Sequence, residues 1–172
     1  MDTTVLIRNL REDDIERIVQ SFACPWSTPE ATQKLWEQYL KEQDEGIRTS
    51  CLLEMGSEIC GYGHLLRVGE NPYFRSQDIP EINALWIGEC YRRQGLARQL
   101  IAHLEELARK EGYRTVGLGV GLYKDYGPAQ QLYFKLGYCP DGNGITYKGE
   151  LVIPGSAYPV DDELILWMTK PL

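Results

Sequence analysis

Residues 81–98 read EINALWIGECYRRQGLAR. The first eight of them are rich in Ile, Leu and Trp, which is typical of a strand buried on both faces. From Leu96 onward, apolar residues recur at helical spacing as far as Ala108, and Gly112 then ends the pattern. The stretch therefore predicts a buried strand that a short turn joins to a long amphipathic helix, and this combination decides the fold class.

The turn between this strand and this helix is a candidate anion site. The N–H groups at the start of a helix lack intrahelical acceptors and the helix dipole favours negative charge there, so the main chain can bind a phosphate group. The small residues Gly95 and Ala97 let phosphate oxygens approach the backbone, while Arg92, Arg93 and Arg98 add positive charge. An ordinary strand-to-helix turn with solvated arginines is the alternative, and the turn alone does not separate the two.

Two common nucleotide-binding motifs do not occur in the sequence. There is no G-x-x-x-x-G-K-[ST] motif, and Gly117, Gly119 and Gly121 lie within a predicted strand and not in a G-x-G-x-x-G turn. ATP hydrolysis and NAD binding therefore lose support.

The remaining pattern supplies further strands and helices. Further strands are predicted over residues 4–9, 50–54, 59–67, 115–120, 145–147 and 164–169, and further helices over residues 15–22, 27–42 and 127–137. Ser27 and Glu30 match a capping box at the start of the second helix. Residues 68–80 are interpreted as a polar, aromatic loop.

The composition fits one domain spanning residues 1–172. The 43% of hydrophobic residues suffice for a substantial core. The net charge of -7 weighs against a general nucleic-acid-binding surface, because neutralising phosphates requires clustered Lys and Arg. We therefore expect no nucleic-acid partner, and a cationic or neutral acceptor fits better.

Cysteine and histidine usage favours a reduced protein without a metal. The five cysteines are widely spread and lack C-x-x-C spacing, and His64 and His103 have no Cys or carboxylate at ligand spacing. The N-terminal residues do not resemble a secretory signal, and no apolar run has the length of a transmembrane helix. We expect a soluble, cytoplasmic protein that does not associate with membranes.

A second motif, AQQLYFKLGY, occupies residues 129–138. Together with R-x-x-G-x-A at residues 92–97, it resembles the Gcn5-related N-acetyltransferase (GNAT) family, specifically over residues 81–138 and loosely over the whole chain. The resemblance implies an α+β fold in which about four helices flank a central mixed, mostly antiparallel sheet of six to seven strands. It also implies that acetyl-CoA lies in an opening between the fourth and fifth strands, with its pyrophosphate on the turn.

The turn and the resemblance together predict a set of cofactor-binding residues: Leu85, Trp86, Ile87, Arg92, Arg93, Gln94, Gly95, Leu96, Ala97, Arg98, Tyr126 and Ala129. Backbone N–H groups of the first three are expected to stabilise the oxyanion. Many family members have Asn where this chain has Tyr126, so contacts to the pantetheine arm are expected to differ. Asp125 or the main chain near Gly127 are the alternatives for that contact.

Acetyl transfer to an amine calls for a base and an acid, because a Lys-like amine with a reference pKa of about 10.4 is mostly protonated at neutral pH. Glu81 is the leading candidate for the base, acting through water, since it stands eleven residues before Arg92 as in some family members. An exposed structural carboxylate is the alternative reading of Glu81, and Glu89 and Asp125 are lesser candidates. The resemblance implies that Tyr133 protonates the leaving CoA thiolate, whereas core packing is its alternative role.

Three segments flank the central strand in such a fold and are expected to recognise the acceptor: residues 24–28, 71–77 and 149–162. They and the residue that follows carry the aromatic residues Trp26, Tyr73, Phe74 and Tyr158 and the acidic residues Asp161, Asp162 and Glu163. Aromatic rings beside carboxylates suit an organic cation, while a solvated acidic loop is the alternative.

The predicted function is therefore transfer of an acetyl group from acetyl-CoA, by direct attack, to a primary amine of a small-molecule or peptide acceptor. A non-catalytic acyl-CoA-binding or sensing module is the alternative. A toxin-like acetyltransferase acting on aminoacyl-tRNA is disfavoured by the acidic balance of the chain. A homodimer is compatible with the sequence, which does not fix the oligomeric state.

Overall fold

A computed structural model describes residues 4–21 and 27–172. In chain order the elements are β1 (Val5–Asn9), α1 (Asp14–Ser21), α2 (Pro29–Asp44), β2 (Arg48–Met55), β3 (Glu58–Leu66), α3 (Pro72–Ser76), β4 (Glu81–Ile87), α4 (Leu96–Lys110), β5 (Thr115–Gly121), α5 (Gly127–Lys135), β6 (Cys139–Tyr147), β7 (Glu150–Leu151) and β8 (Leu164–Pro171). Short 3₁₀ turns precede α4 and α5, at Glu89–Tyr91 and Lys124–Tyr126. The predicted acceptor contact of Trp26 and the end of the first predicted helix lie outside the described residues.

The strands form a mixed sheet in the order β1-β2-β3-β4-β5-β8-β6-β7. β4 and β5 pair in parallel, while the pairs β1–β2, β2–β3, β5–β8, β6–β8 and β6–β7 are antiparallel. The predicted α+β class with a mostly antiparallel sheet is confirmed. Within the described residues the sheet has eight strands and the chain five α-helices, against the predicted six to seven strands and about four helices.

The two unpredicted elements, α3 and β7, are both short. β7 has two residues, which is too few for an alternating pattern to be read from the sequence. α3 has five residues inside the segment that was interpreted as a loop, and the Asn71 side chain caps it by accepting from the N–H groups of Tyr73 and Phe74. Asn followed by Pro72 is a recognisable helix start, so this signal was present in the sequence.

The start of α2 differs from the predicted capping box. The N-cap is Thr28, whose side chain accepts from the N–H of Ala31 at 3.2 Å, and not Ser27. The reason is Pro29 at the first helical position, which holds the preceding residue in extended backbone, and an N-cap residue needs that conformation.

The chain divides into two compact units. The first contains the described residues up to 67 together with residues 84–104, and the second contains residues 68–83 and 105–172. The expectation of a single domain stays a prediction.

Each unit has its own apolar core. In the first unit, α1 and α2 contribute to a cluster of buried residues, namely Leu10, Ile15, Ile18, Trp36, Leu52 and Ile59. In the second unit, Phe74 of α3 packs edge-on against Trp167 of β8, with ring centroids 5.4 Å apart, and Ile79 completes the cluster. α3 is therefore held to the sheet of its own unit by a fully buried aromatic residue.

A buried ion-pair network joins β1, α1 and β2 in the first unit. Arg8 donates both terminal nitrogens to the carboxylate of Asp14 at 2.7 Å, and it also donates to Glu54. Arg17 donates one nitrogen to the same two carboxylates, at 2.9 and 3.0 Å. Asp14 is 2% exposed and also accepts from the N–H of Arg11, so its charge is balanced on every side.

Candidate functional site

The turn that follows β4 is held in place from both of its flanks. Gly88 donates its N–H to the carbonyl of Cys60 at 2.9 Å, and Arg92 Nε donates to the carbonyl of Ile87 at 3.0 Å. Arg92 therefore fastens the turn back to the end of the strand, in addition to the charge that was predicted for it.

The backbone of the turn presents N–H groups to solvent. Arg93 and Gly95 have positive φ values of +62° and +78°, and alternating left-handed residues of this kind form a concave nest of N–H groups. Within residues 4–21 and 27–172, no oxygen accepts a hydrogen bond from the N–H groups of residues 94–98. A Cβ at Gly95 would meet no protein atom within 4 Å, so within the protein itself it is the positive φ that favours glycine there.

The side chains of the turn leave its concave surface open. Leu96 is buried and anchors the first turn of α4, while Gln94 lies exposed and donates to the carbonyl of Cys90 at 3.3 Å. Arg93 and Arg98 are exposed and make no ion pair with any residue in the described ranges. This start of a long helix, with a row of unpaired N–H groups and two unpaired cations, has the chemistry of a pyrophosphate site.

The residues expected to stabilise the oxyanion are packed through their side chains. Trp86 stacks on Tyr62 with ring centroids 5.5 Å apart, and Ile87 is buried. Ala84 has a φ of +49°, a left-handed conformation within β4 that costs a residue with a Cβ about 1–2 kcal/mol. A residue of this kind gives a strand the geometry of a bulge and turns the residues that follow it. The sequence contained no signal for this kink, which immediately precedes Leu85.

Tyr133 lies on α5, and its hydroxyl makes no hydrogen bond to a described residue. The side chain is 8% exposed, its ring packs against that of Tyr138 at 6.0 Å, and the N–H of Tyr138 donates to its carbonyl at 3.0 Å. No partner for the hydroxyl exists among the residues that the structure describes. Burial raises the pKa of Tyr133 to about 12, so the phenol is protonated at neutral pH and can donate a proton.

Glu81 is buried, so it is not the exposed carboxylate at a strand start that was the alternative. It is 2% exposed, and its carboxylate accepts from Asn83 Nδ2 at 2.9 Å and from the N–H of Glu70 at 3.0 Å. A Cβ at Gly69 would lie 2.3 Å from Glu81 Oε2, so the close approach of the loop to the carboxylate requires glycine there. Burial raises the pKa of Glu81 above 4.5, and the hydrogen bonds from Asn83 and Glu70 partly oppose the shift.

The lesser candidates for the base differ from Glu81 in their surroundings. Glu89 and Asp125 are both exposed, so neither has the desolvated setting that tunes a carboxylate toward base catalysis at neutral pH.

Tyr126, one of the predicted cofactor contacts, is half-buried and is positioned by two contacts. Its hydroxyl donates to Asp162 at 2.9 Å, and a Cβ at Gly121 would lie 2.4 Å from its ring. Ala129 is half-buried beside it on α5, and Gln130 donates to the carbonyl of Gly121 at 2.8 Å. Gln130 is a polar contact of this region that the sequence reasoning did not single out.

A model of the acetyltransferase (GNAT) family matches residues 14–138, a range that contains the turn, Glu81 and Tyr133. The chain belongs to the GNAT family. It is accordingly an acetyl-CoA-dependent acyltransferase.

Other GNAT proteins are similar over nearly the whole chain. A Bacillus subtilis (strain 168) protein, provisionally named a ribosomal protein bS18-alanine N-acetyltransferase, is 27% identical over 98% of each chain. The structure of the Escherichia coli ribosomal-protein-S18-alanine N-acetyltransferase has a TM-score of 0.66 at 22% identity, over 98% of this chain and 94% of that one. The PaiA N-acetyltransferase of Thermoplasma acidophilum, solved in complex with coenzyme A, has the same TM-score at 15% identity, over 98% and 99% of the two chains. These structural likenesses show the fold.

Two of the acidic residues that were expected to recognise the acceptor of this GNAT protein, Asp161 and Asp162, accept hydrogen bonds from tyrosines of the same chain. Asp162 accepts from the hydroxyls of Tyr123 and Tyr126, and Asp161 accepts from that of Tyr147 at 3.1 Å. Of the predicted aromatic residues, Phe74 is fully buried in the core, whereas Tyr73 is exposed. Tyr158 is half-buried and accepts from the N–H of Ile153.

The described histidines and cysteines of this GNAT protein do not form a metal-ligand cluster. Over the described ranges, no set of three or more His, Cys, Asp or Glu is placed to hold a metal ion. None of the helices in those ranges is both long and apolar enough to cross a membrane.

His64 is the fully buried histidine of the first unit. Its Nδ1 lies 2.8 Å from Ser50 Oγ, its ring lies 4.6 Å from that of Tyr39, and its Nε2 has no partner in the part of the chain that the structure describes. Burial, together with the charge of Arg48, lowers the pKa of His64 to about 3. The imidazole is therefore neutral in the folded protein.

We expect the protein to lose stability as the pH falls below 6.5, because the unfolded chain then protonates His64 whereas the folded chain does not. Between pH 6.5 and 4.5 the expected contribution of His64 to this loss is on the order of 2–3 kcal/mol, and the raised pKa of Glu81 acts in the opposite direction. The carboxylates of Asp14, Glu42 and Glu54 have lowered pKa values, so their contribution is lost only at lower pH. Urea unfolding of His64→Gln should show a flatter pH dependence in this window. A slope in His64→Gln equal to that of the unmodified protein would contradict the assignment.

Proposed function

We propose that this GNAT protein transfers the acetyl group of acetyl-CoA to a primary amine by direct attack, without an acyl-enzyme. The observation that carries the proposal is the row of unpaired N–H groups over residues 94–98, at the start of α4 and beside the unpaired Arg93 and Arg98. That row suits the pyrophosphate of CoA. The Thermoplasma relative, solved with coenzyme A, supports the same cosubstrate.

The proposed reaction requires four functions of this chain: binding of the pyrophosphate, stabilisation of the oxyanion, protonation of the thiolate and deprotonation of the amine. The turn binds the pyrophosphate, and backbone N–H groups of residues 85–87 stabilise the oxyanion that forms when the amine nitrogen attacks the thioester carbon. As the C–N bond forms and the C–S bond breaks, Tyr133 donates its proton to the leaving thiolate. Glu81 takes a proton from the amine through a water molecule. The protonated state of Tyr133 and the desolvated carboxylate of Glu81 suit these two roles.

The acceptor is a primary amine of a peptide or of a small molecule. The relatives include proteins named for acetylating ribosomal protein S18 and one named for spermidine and spermine, so both acceptor classes belong in the test.

The test combines a binding and a turnover measurement. Calorimetry should detect acetyl-CoA binding, and release of free CoA thiol should depend on an amine from a panel of peptides with free N-termini, lysine peptides, polyamines and small amines. Binding of acetyl-CoA without acetylation of any amine, across the panel and from pH 6 to 10, would instead identify a non-catalytic acyl-CoA-binding module.

For Glu81→Gln we expect kcat/KM at pH 7 to fall about a hundredfold. The loss should shrink as the pH approaches the pKa of the acceptor amine, because a neutral amine no longer needs the base. In the unmodified protein, activity should fall toward low pH through a pKa above 4.5, since the base must be deprotonated and burial raises its pKa. A pH-independent loss would assign Glu81 a purely structural role. Acetyl-CoA affinity, measured alongside, controls for misfolding.

A further inference from the structure

The second unit contains a cavity of about 310 Å³ between the start of α3 and the strands β6 and β7. Its lining includes Asn71, Tyr73, Asp141, Glu150 and Trp167. No Lys or Arg lines this cavity. Its volume is that of a small-ligand site, and its charges and aromatic rings are complementary to an organic cation.

Asn71 adds a hydrogen-bond donor that has no partner. The side chain is 5% exposed, and its oxygen accepts from the N–H groups of Tyr73 and Phe74, which fixes the amide orientation. Over residues 4–21 and 27–172, no acceptor is present for its Nδ2. An amide donor without a partner at the edge of a cavity can donate to an acceptor oxygen on the occupant, such as a peptide carbonyl.

The same loop connects the cavity with the candidate base. The backbone N–H of Glu70 donates to the carboxylate of Glu81 at 3.0 Å, and the side chain of the next residue, Asn71, lines the cavity. A molecule in the cavity that contacts Asn71 therefore contacts the residue that directly follows Glu70, whose N–H bonds the Glu81 carboxylate.

We infer that this cavity binds a cationic side chain of a peptide acceptor, with Asp141 and Glu150 facing the cation and Asn71 donating to a peptide carbonyl. The inference rests on the proposed function, because it takes the acceptor to be the amine that Glu81 serves. A free polyamine matches the carboxylates but offers no carbonyl to Asn71. A peptide with a basic residue near its reacting amine matches both.

The experiment uses three pentapeptides that differ only in having Lys, Gln or Glu at the residue after a free N-terminal Ala, with spermidine as a fourth acceptor. We expect the lowest KM for the Lys peptide. Asp141→Asn retains the oxygen that accepts from the N–H of Asn143, yet it should raise this KM about tenfold, as should Glu150→Gln. The KM of the Gln peptide, which brings no cation to the cavity, should rise less than that of the Lys peptide in both variants. Asp78→Asn removes an exposed charge outside the cavity and should match the unmodified protein.

Asn71→Asp separates a peptide from a polyamine. The new carboxylate keeps an oxygen for the N–H groups of Tyr73 and Phe74 but loses the amide donor. We expect a higher KM for the Gln peptide and no increase for spermidine. An increase for both acceptors, or for neither, would overturn the role of Asn71.

A second readout does not depend on turnover. Fluorescence anisotropy of labelled Lys and Gln peptides whose N-termini are already acetylated should show tighter binding of the Lys peptide, and this preference should be lost in Asp141→Asn. If the preference is present but no acceptor is acetylated, the proposed function fails and the cavity assignment stands. If acetylation occurs without any preference among Lys, Gln and Glu peptides, the function stands and the cavity assignment is wrong.

Discussion

Replacing Tyr133 with phenylalanine is expected to lower kcat by about 10²–10⁴-fold while the affinity for acetyl-CoA stays unchanged. The change removes one oxygen, the group proposed to protonate the leaving thiolate. The ring remains and can still pack against Tyr138. Because no described residue hydrogen-bonds the hydroxyl, we expect the unfolding free energy to stay within about 0.5 kcal/mol of the unmodified value.

The measurement is single-turnover release of CoA thiol with a saturating acceptor, combined with calorimetry of acetyl-CoA binding. Tyr113→Phe removes a phenol from a half-buried tyrosine outside the proposed machinery and is the matched control. Since the pKa of Tyr133 is raised to about 12, its ionisation should not limit the rate anywhere between pH 6 and 10. A kcat within fivefold of the unmodified protein, with chemistry rate-limiting, would show that another group or water protonates the thiolate.

Replacing Asp14 with alanine is expected to lower the unfolding free energy by about 3–5 kcal/mol, because the change leaves the cations that Asp14 balances without their shared carboxylate. Arg8 would keep only Glu54 as a charged partner, although its guanidinium lies mostly out of water. Burial opposes ionisation of Asp14, yet hydrogen bonds from Arg8 and from the N–H of Arg11 lower its pKa below 3.8. The paired charge therefore stabilises the folded state at pH values above the unfolded pKa of Asp14. This contribution is lost as the pH falls from the unfolded pKa through the lower pKa of the folded state.

Urea unfolding at pH 7 tests this expectation. Glu16→Ala on the exposed side of the same helix is the control. Among the described residues, Gln20 alone hydrogen-bonds the Glu16 carboxylate, and its removal should cost less than about 0.5 kcal/mol. A loss below 1 kcal/mol for Asp14→Ala would mean that water solvates Arg8 and Arg17 once the carboxylate is gone.

The long elements of this fold could be predicted because their signals are local. The spacing of apolar residues in α4 and the small residues of the turn lie within one continuous stretch, and the predicted family and fold class are confirmed. The predicted counts of strands and helices were too low because the short elements β7 and α3 were not predicted. α3 owes its place to Phe74 packing against Trp167, a contact across more than ninety residues of chain that no local pattern contains.

The environments of the candidate catalytic residues could not be predicted in the same way. Glu81 was open to interpretation as an exposed carboxylate, whereas the Gly69–Glu70 loop covers it and desolvation raises its pKa. Asp161 and Asp162 were expected to face an acceptor, which stays a prediction, and the sequence did not reveal that they accept hydrogen bonds from tyrosine hydroxyls. Burial and hydrogen bonding set the chemistry of a carboxylate, and both depend on residues that only folding brings near.

By itself the sequence determined the strand, the turn and the helix over residues 81–112, the second motif over residues 129–138, and through them the GNAT family. These features follow from periodicity, glycine conformation and helix-end chemistry, which act between residues a few positions apart. Only the tertiary structure decided that Glu81 is buried, that the Tyr133 hydroxyl has no described partner, and that Asn71 lines an acidic cavity. The physical reason is that desolvation and hydrogen-bond partners come from segments far apart in the chain, and no spacing rule in one segment contains them.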